Sequence, residues 1–294
     1  SETKSFIATI ILQLESERSL SINDPISKYL SHIPQQWNEI TIKQLLNHSS
    51  GIVNYTDVLE ELWHKNNIDF QKQFTSEELV NLVIDKPLYF KPGSNWHYSN
   101  TNYVLAGMII QNITGKLIDE EINSRIIDNL HLSNTYYHAS LYDEQLLSQM
   151  AHGYSDRGFF PDEPYDITET NISWANTAGA MISTSHDMSI WFKNLLDGTL
   201  LPKQQFDEMM TFVDGIFPNS TIPIEYGLGI IHDVETFGTE AWWHSGGTLG
   251  YNAMMVKLKS PDVLITINIS HTTAKREIYA MVRTIAAYIK KGSE

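Results

Sequence analysis

The feature that most limits how this chain can fold is a change of hydrophobic period near Ile224. Before it, apolar residues recur at three- and four-residue intervals; after it they alternate. "YGLGIIHDV", "TEAWWHSG", "YNAMMVKLK" and "DVLITINIS" are each of strand length and are separated by Gly, Pro or Asp, so they predict neighbouring antiparallel strands. The closing segment "TTAKREIYAMVRTIAAYIKK" returns to helical spacing, with Ile278, Met281, Val282, Ile285 and Ile289 on one face able to lie across that sheet.

Upstream, Phe6, Ile7, Ile10, Ile11 and Leu14 predict a core helix that opens just after Ser1. "ITIKQLLNHSSGI" reads as a short helix capped at Thr41 and stopped at Gly51, and "TNYVLAGMIIQNITG" as a longer one with Gly115 as its stop. "IDEEINSRIIDNL" and the stretch from Ser185 to Gly198 supply two more. The expected fold is α/β of the α+β kind: a mostly helical region over 1–200, then an antiparallel sheet with a C-terminal helix over 201–294. A site belongs in the cleft between them.

Charge and composition remove several function classes. Twenty Lys and Arg against thirty-five Asp and Glu leave a formal charge of −15 with no basic patch, which disfavours nucleic acid. Without cysteine there is no disulfide, thiol nucleophile or Cys-ligated zinc. Eleven histidines form no His-Glu-x-x-His and no close pair with a carboxylate, so no metal is expected. The longest apolar stretch, "FIATIILQL", is too short to cross a bilayer.

Three short elements carry the candidate chemistry: Ser1-x-x-Lys4 at a helix start, Tyr98-Ser99-Asn100 in a loop after a Pro-Gly turn, and His244-Ser245-Gly246 on a strand. A serine hydroxyl attacks a carbonyl only when a neighbouring base takes its proton. Lys4, one helical turn from Ser1, can serve if burial leaves its amine neutral part of the time. Each element also has a plain structural reading: a helix cap beside an exposed Lys4, an aromatic anchor at Tyr98, a hydrogen-bonded strand-end His244. Trp174 divides evenly between the cleft and the core.

In this order, the elements resemble the penicillin-recognising serine hydrolases, namely class C β-lactamases, DD-peptidases and their esterase relatives. "LLNHSSGI", "FKPGSNWHYSNTNYVLAGMII", "NLHLSNTYY", "TAGAMISTSHDM", "YGLGI" and "HSGGTLGY" stand where that family carries comparable segments. The resemblance implies a β-lactamase/DD-peptidase-like fold and an acyl-enzyme on Ser1. It makes Lys4 and Tyr98 the proton-transfer groups and has Asn100 orient Lys4 and the acyl side chain. Backbone nitrogens of Ser1 and Gly247 form the oxyanion hole, and His244, Ser245, Gly246 and Trp174 bind substrate. No metal or organic cofactor is implied, and the partner is a small molecule or peptide, with β-lactams among the candidates.

His244 stands where many relatives carry Lys, whereas some DD-peptidases and D-aminopeptidases resemble this chain in using His, and no Lys or Arg occurs between Lys203 and Lys257. Recognition of a substrate carboxylate is therefore disfavoured, and a broader esterase, amidase or D-peptidase is expected. The family fold also expects an N-terminal helix and strands ahead of the nucleophile, so the chain is expected to start inside a longer protein. A rival reading makes Ser1 an N-terminal nucleophile using its own amine. Two further classes are kept: a penicillin-binding-type protein that acylates or binds without turnover, and a structural interaction module. Relatives are mostly exported by bacteria, which points to the periplasm or the exterior.

Overall fold

The computed structural model describes residues 1–65, 69–156, 158, 164–218, 220–272 and 275–292. The predicted first helix, α1 (Thr3–Ser16), is buried nearly all round: Phe6, Ile7, Ile10 and Ile11 are inaccessible and Leu14 almost so. A helix apolar on every side belongs at the centre of a core, and the rest of the helical part wraps it. Phe6 stacks on Trp191 with ring centroids 3.8 Å apart, and the Trp191 Nε1–H donates to Ser5 Oγ at 3.0 Å.

The short helix Ile42–Leu46 carries the expected Thr41 cap, completed as a capping box by Gln44. α2 (Asn100–Thr114) ends at Gly115, whose φ of 69° is the left-handed conformation that a helix stop requires. α3 (Ser185–Leu196) is capped by Thr184. The helix Lys203–Met209 returns against α1, with Leu201 and Met209 in the same core.

Six strands follow: β1 (Val213–Ile216), β2 (Pro223–Tyr226), β3 (Ile231–Asp233), β4 (Ala241–Gly247), β5 (Asn252–Leu258) and β6 (Val263–Ile269). They form one antiparallel meander in which each strand pairs with the next. β4 and β5 run in full register from Ala241 opposite Leu258 to Gly247 opposite Asn252. One face of the sheet meets the helical part, where Thr266 Oγ1 donates to the Ser185 carbonyl at 2.7 Å. The other is covered by α4 (Lys275–Lys291) through Ile278 and Val282, in a core shared with Tyr226, Trp243, Val256 and Ile265.

Three sequence expectations need correction. "YGLGIIHDV" is not one strand but the end of β2, a tight turn and β3. Gly227 N–H closes the turn on the Ile230 carbonyl at 2.9 Å, and Gly229 sits at φ 77°. A Cβ on Gly229 would lie 2.8 Å from the Lys4 carbonyl oxygen, so the turn packs on the backbone of α1 and admits only glycine there. β1 was not expected, because Asp214 and Gly215, both poor strand formers, interrupt "VDGI"; Gly215 packs on the Trp96 indole, where a Cβ would approach to 2.7 Å. Finally, α4 buries Ile278, Val282 and Ala286, whereas Met281 and Ile285 face outward with Tyr288. Residues 273 and 274 of that predicted helix lie outside the described residues.

Candidate active site

α1 sets the first pair. Lys4 N–H donates to the Ser1 carbonyl at 3.0 Å, so both side chains leave the same end of the helix, and Lys4 Nζ lies 3.1 Å from Ser1 Oγ. Lys4 is completely buried. Its other two neighbours are Asn100 Oδ1 at 2.7 Å and the Ala178 carbonyl at 2.8 Å. The Asn100 amide is itself oriented, since Nδ2 donates to Thr56 Oγ1 at 3.0 Å and its backbone N–H donates to Asn54 Oδ1 at 2.9 Å.

Counting donors gives this cage a chemical meaning. Asn100 Oδ1 and the Ala178 carbonyl can only accept, so each takes one N–H from Lys4. A neutral amine has two such hydrogens, and its lone pair then points along the remaining direction, towards Ser1 Oγ. Burial holds the Lys4 amine well below the usual lysine range, which favours that neutral form.

Tyr98 closes the site from the loop. Its ring lies 4.8 Å from Lys4 Nζ, and its phenol hydrogen-bonds to Ser1. Burial pushes the phenol above the usual tyrosine range, and that bond to Ser1 only partly opposes it. Tyr98 is thus a neutral proton donor at physiological pH, while Lys4 is the group able to accept.

β4 passes on the other side of Ser1. A Cβ on Gly246 would lie 2.6 Å from the Ser1 backbone nitrogen, so this close passage of strand and helix start requires glycine. Gly246 and Gly247 line, with Ser1, a cavity of about 440 Å³. Its wall includes Tyr136, Tyr142, Ile172, Met181 and Tyr251. Among the described residues it contains no Lys, Arg or His, and Glu2 is its single carboxyl group. Glu2 is about nine-tenths buried, its Oε1 has no partner among the described residues, and burial pushes its carboxyl up to about 7.

Not every residue singled out in the sequence reaches this wall. Ser245 Oγ lies 3.2 Å from Tyr279 OH on α4, on the face of the sheet away from Ser1, because consecutive strand residues point oppositely. His244 faces Tyr98 but is 2% exposed, and both its ring nitrogens are engaged: Nε2 with Tyr226 OH at 2.9 Å, Nδ1 with the Ser245 carbonyl at 2.8 Å. Trp174 packs edge-on against Trp63 at 5.4 Å, and its carbonyl accepts from Tyr55 OH at 2.5 Å; it takes the packing role. Sequence reasoning missed the Ala178 carbonyl, Asn54, Thr56 and Glu2. Only Glu2, a carboxylate between Ser1 and Lys4, left a signal to read.

Comparisons with known proteins identify the chain's relatives. The Beta-lactamase family model matches residues 1–284. Penicillin-binding protein 4* of Bacillus subtilis (strain 168) is 27% identical over 266 residues, covering 87% of this chain and 56% of that protein. A D-stereospecific amidohydrolase from Streptomyces sp. superposes with a TM-score of 0.80 at 33% identity, over 92% of this chain and 80% of that one. The D-amino acid amidase of Ochrobactrum anthropi SV3, in complex with L-phenylalanine amide, gives a TM-score of 0.84 at 26% identity, over 100% and 84%. The chain spans 37% to 56% of the length of curated relatives it matches. With a family model matched over nearly its whole length and solved relatives of the same fold, this chain belongs to the Beta-lactamase family.

Proposed function

We propose that the protein is a serine hydrolase that cleaves amides or esters of D-amino acids through an acyl-enzyme on Ser1. The observation that carries this reading is the acceptor cage around Lys4, which leaves Ser1 Oγ, 3.1 Å away, on its one remaining direction. In the proposed first step the Ser1 hydroxyl proton passes to Lys4 Nζ as Oγ bonds to the substrate carbonyl carbon. The backbone nitrogens of Ser1 and Gly247 receive the oxyanion, an interaction worth about 3 kcal/mol per donor in such sites. Tyr98 gives its proton to the leaving nitrogen or oxygen and recovers one from Lys4. A water then repeats the cycle, losing its proton through Tyr98 and Lys4 as it displaces Ser1 from the acyl group.

The cavity favours this substrate class over a peptide ending in a carboxylate. Such a ligand needs a cation, and the described wall has none, while both His244 nitrogens are already engaged. The amidohydrolase and the amidase named above act, by their names, on D-configured substrates.

A panel of D- and L-phenylalanine amide, p-nitrophenyl esters, a D-Ala-D-Ala peptide and a cephalosporin tests the reading. Turnover greatest on D-amide or ester, and abolished in Ser1→Ala, is expected. Preference for the D-Ala-D-Ala peptide, or stable labelling by a fluorescent penicillin with no turnover of anything, would overturn it.

A further inference from the structure

Tyr98 is flanked by two amides, and both end on one residue. His97 N–H donates to the His48 carbonyl at 3.1 Å, and Ser99 N–H donates to His48 Nδ1 at 3.2 Å. His48 is completely buried and stands at φ 63°, a left-handed backbone disfavoured for residues other than glycine. Its ring lies on the Tyr98 ring, with centroids 4.2 Å apart and planes inclined by 37°, and meets the Tyr226 ring edge-on at 4.7 Å.

The neighbours also fix the tautomer. Ser50 Oγ donates to Asn102 Oδ1 at 2.7 Å, which leaves Asn102 Nδ2 to donate to His48 Nδ1 at 3.2 Å. Two donors converge on Nδ1, so Nδ1 bears the lone pair and the ring proton sits on Nε2, which has no partner among the described residues. A doubly protonated ring would have to release the Ser99 amide. The titratable groups around the ring are Lys4 from α1, His97 and Tyr98 from the loop, Tyr103 from α2, Tyr226 from β2 and His244 from β4. Burial, reinforced by Lys4, His244 and His97, holds the imidazole well below its usual range and keeps it neutral.

We propose that His48 is the positioning residue of proton transfer: its carbonyl and its Nδ1 clamp the backbone on both sides of Tyr98, and its ring face sets the tilt of the phenol against Ser1. The proposal rests on the reading of Tyr98 as proton relay. A ring that only filled space would not need its acceptor nitrogen, and that difference can be measured.

The test compares kcat and KM of wild type, His48→Ala, His48→Asn and Ser1→Ala on the best-cleaved member of the substrate panel, with thermal melts as a folding check. A misplaced phenol should lower kcat of His48→Ala about 100-fold with little change in KM. His48→Asn, whose Oδ1 can stand near the position of Nδ1, should recover much of the loss. Full turnover by folded His48→Ala, a change confined to KM, or no recovery by His48→Asn would overturn the proposal. Turnover surviving in Ser1→Ala instead defeats the serine-hydrolase reading on which it stands. Should both His48 variants fail to fold, ¹⁵N spectra of histidine-labelled wild type decide: an unprotonated Nδ1 from pH 6 to pH 9 is expected, and a protonated Nδ1 contradicts the clamp.

Discussion

Lys4 Nζ lies 3.1 Å from Ser1 Oγ with its two other hydrogen-bonding directions taken by acceptors, so its remaining direction faces the serine. Lys4→Arg fixes a charge there and removes the lone pair. Acylation, measured as a pre-steady-state burst with a p-nitrophenyl ester, should fall by about 1,000-fold or more, within the range typical of losing a catalytic base. Wild-type kcat/KM should rise with pH as Lys4 loses its proton, well below the 10.5 of a free lysine, because burial disfavours the ammonium. No second limb from Tyr98 is expected below pH 10, since its phenol is shifted upward.

Gly246 bears on the same serine from the strand side. In Gly246→Ala the new Cβ would meet the Ser1 backbone nitrogen at 2.6 Å, and neither backbone can yield without moving the nucleophile. A loss of about 100-fold in kcat is expected, the scale of one disturbed oxyanion donor. Circular dichroism and a melt should show a folded protein; unchanged kcat would mean that the strand is free to move away.

Glu2 gives a stability prediction with a definite sign. Its folded-state value of about 7 lies above the 4.5 of an unfolded glutamate, so the native state binds the extra proton. Stability from this group is full below about 4.5 and is lost as pH rises through about 7. Glu2→Gln should therefore melt above wild type at pH 8 and level with it at pH 4. The shift sets an upper scale of about 3 kcal/mol. An equal effect at both pH values would contradict the assignment.

His244 offers a gain-of-function test. Because its ring is tied to Tyr226 and to the Ser245 carbonyl, it has no nitrogen left for a substrate carboxylate. His244→Lys supplies an ammonium on the strand beside Tyr98. The ratio of kcat/KM for a D-Ala-D-Ala peptide to that for the D-amide should rise about tenfold, the worth of one charge-assisted hydrogen bond. A falling ratio would show that the imidazole already serves the carboxylate.

The parts of this molecule that are local in sequence were legible before the structure. The cap at Thr41, the stop at Gly115, the apolar periodicity of α1 and the one-turn spacing of Ser1 and Lys4 all depend on neighbours within a few residues. What escaped depends on distant contacts. Gly229 is glycine because the backbone of α1 passes beneath it, and Gly215 because Trp96 does, so both interrupt the strand pattern for reasons lying elsewhere in the chain. Ala178 contributes a carbonyl, which no side-chain motif announces. The separation of His244 from Ser245, by contrast, was readable: adjacent residues of a strand cannot both face the same cleft.

Covalent capture of the nucleophile tests the account most directly. Rapid acid quenching during turnover of a D-amino-acid ester, followed by peptide mass mapping, should find the acyl group on the peptide carrying Ser1 and nowhere else, with neither adduct nor product formed by Ser1→Ala. Product formation by Ser1→Ala at the wild-type rate, or an acyl group carried by any other residue, would contradict it.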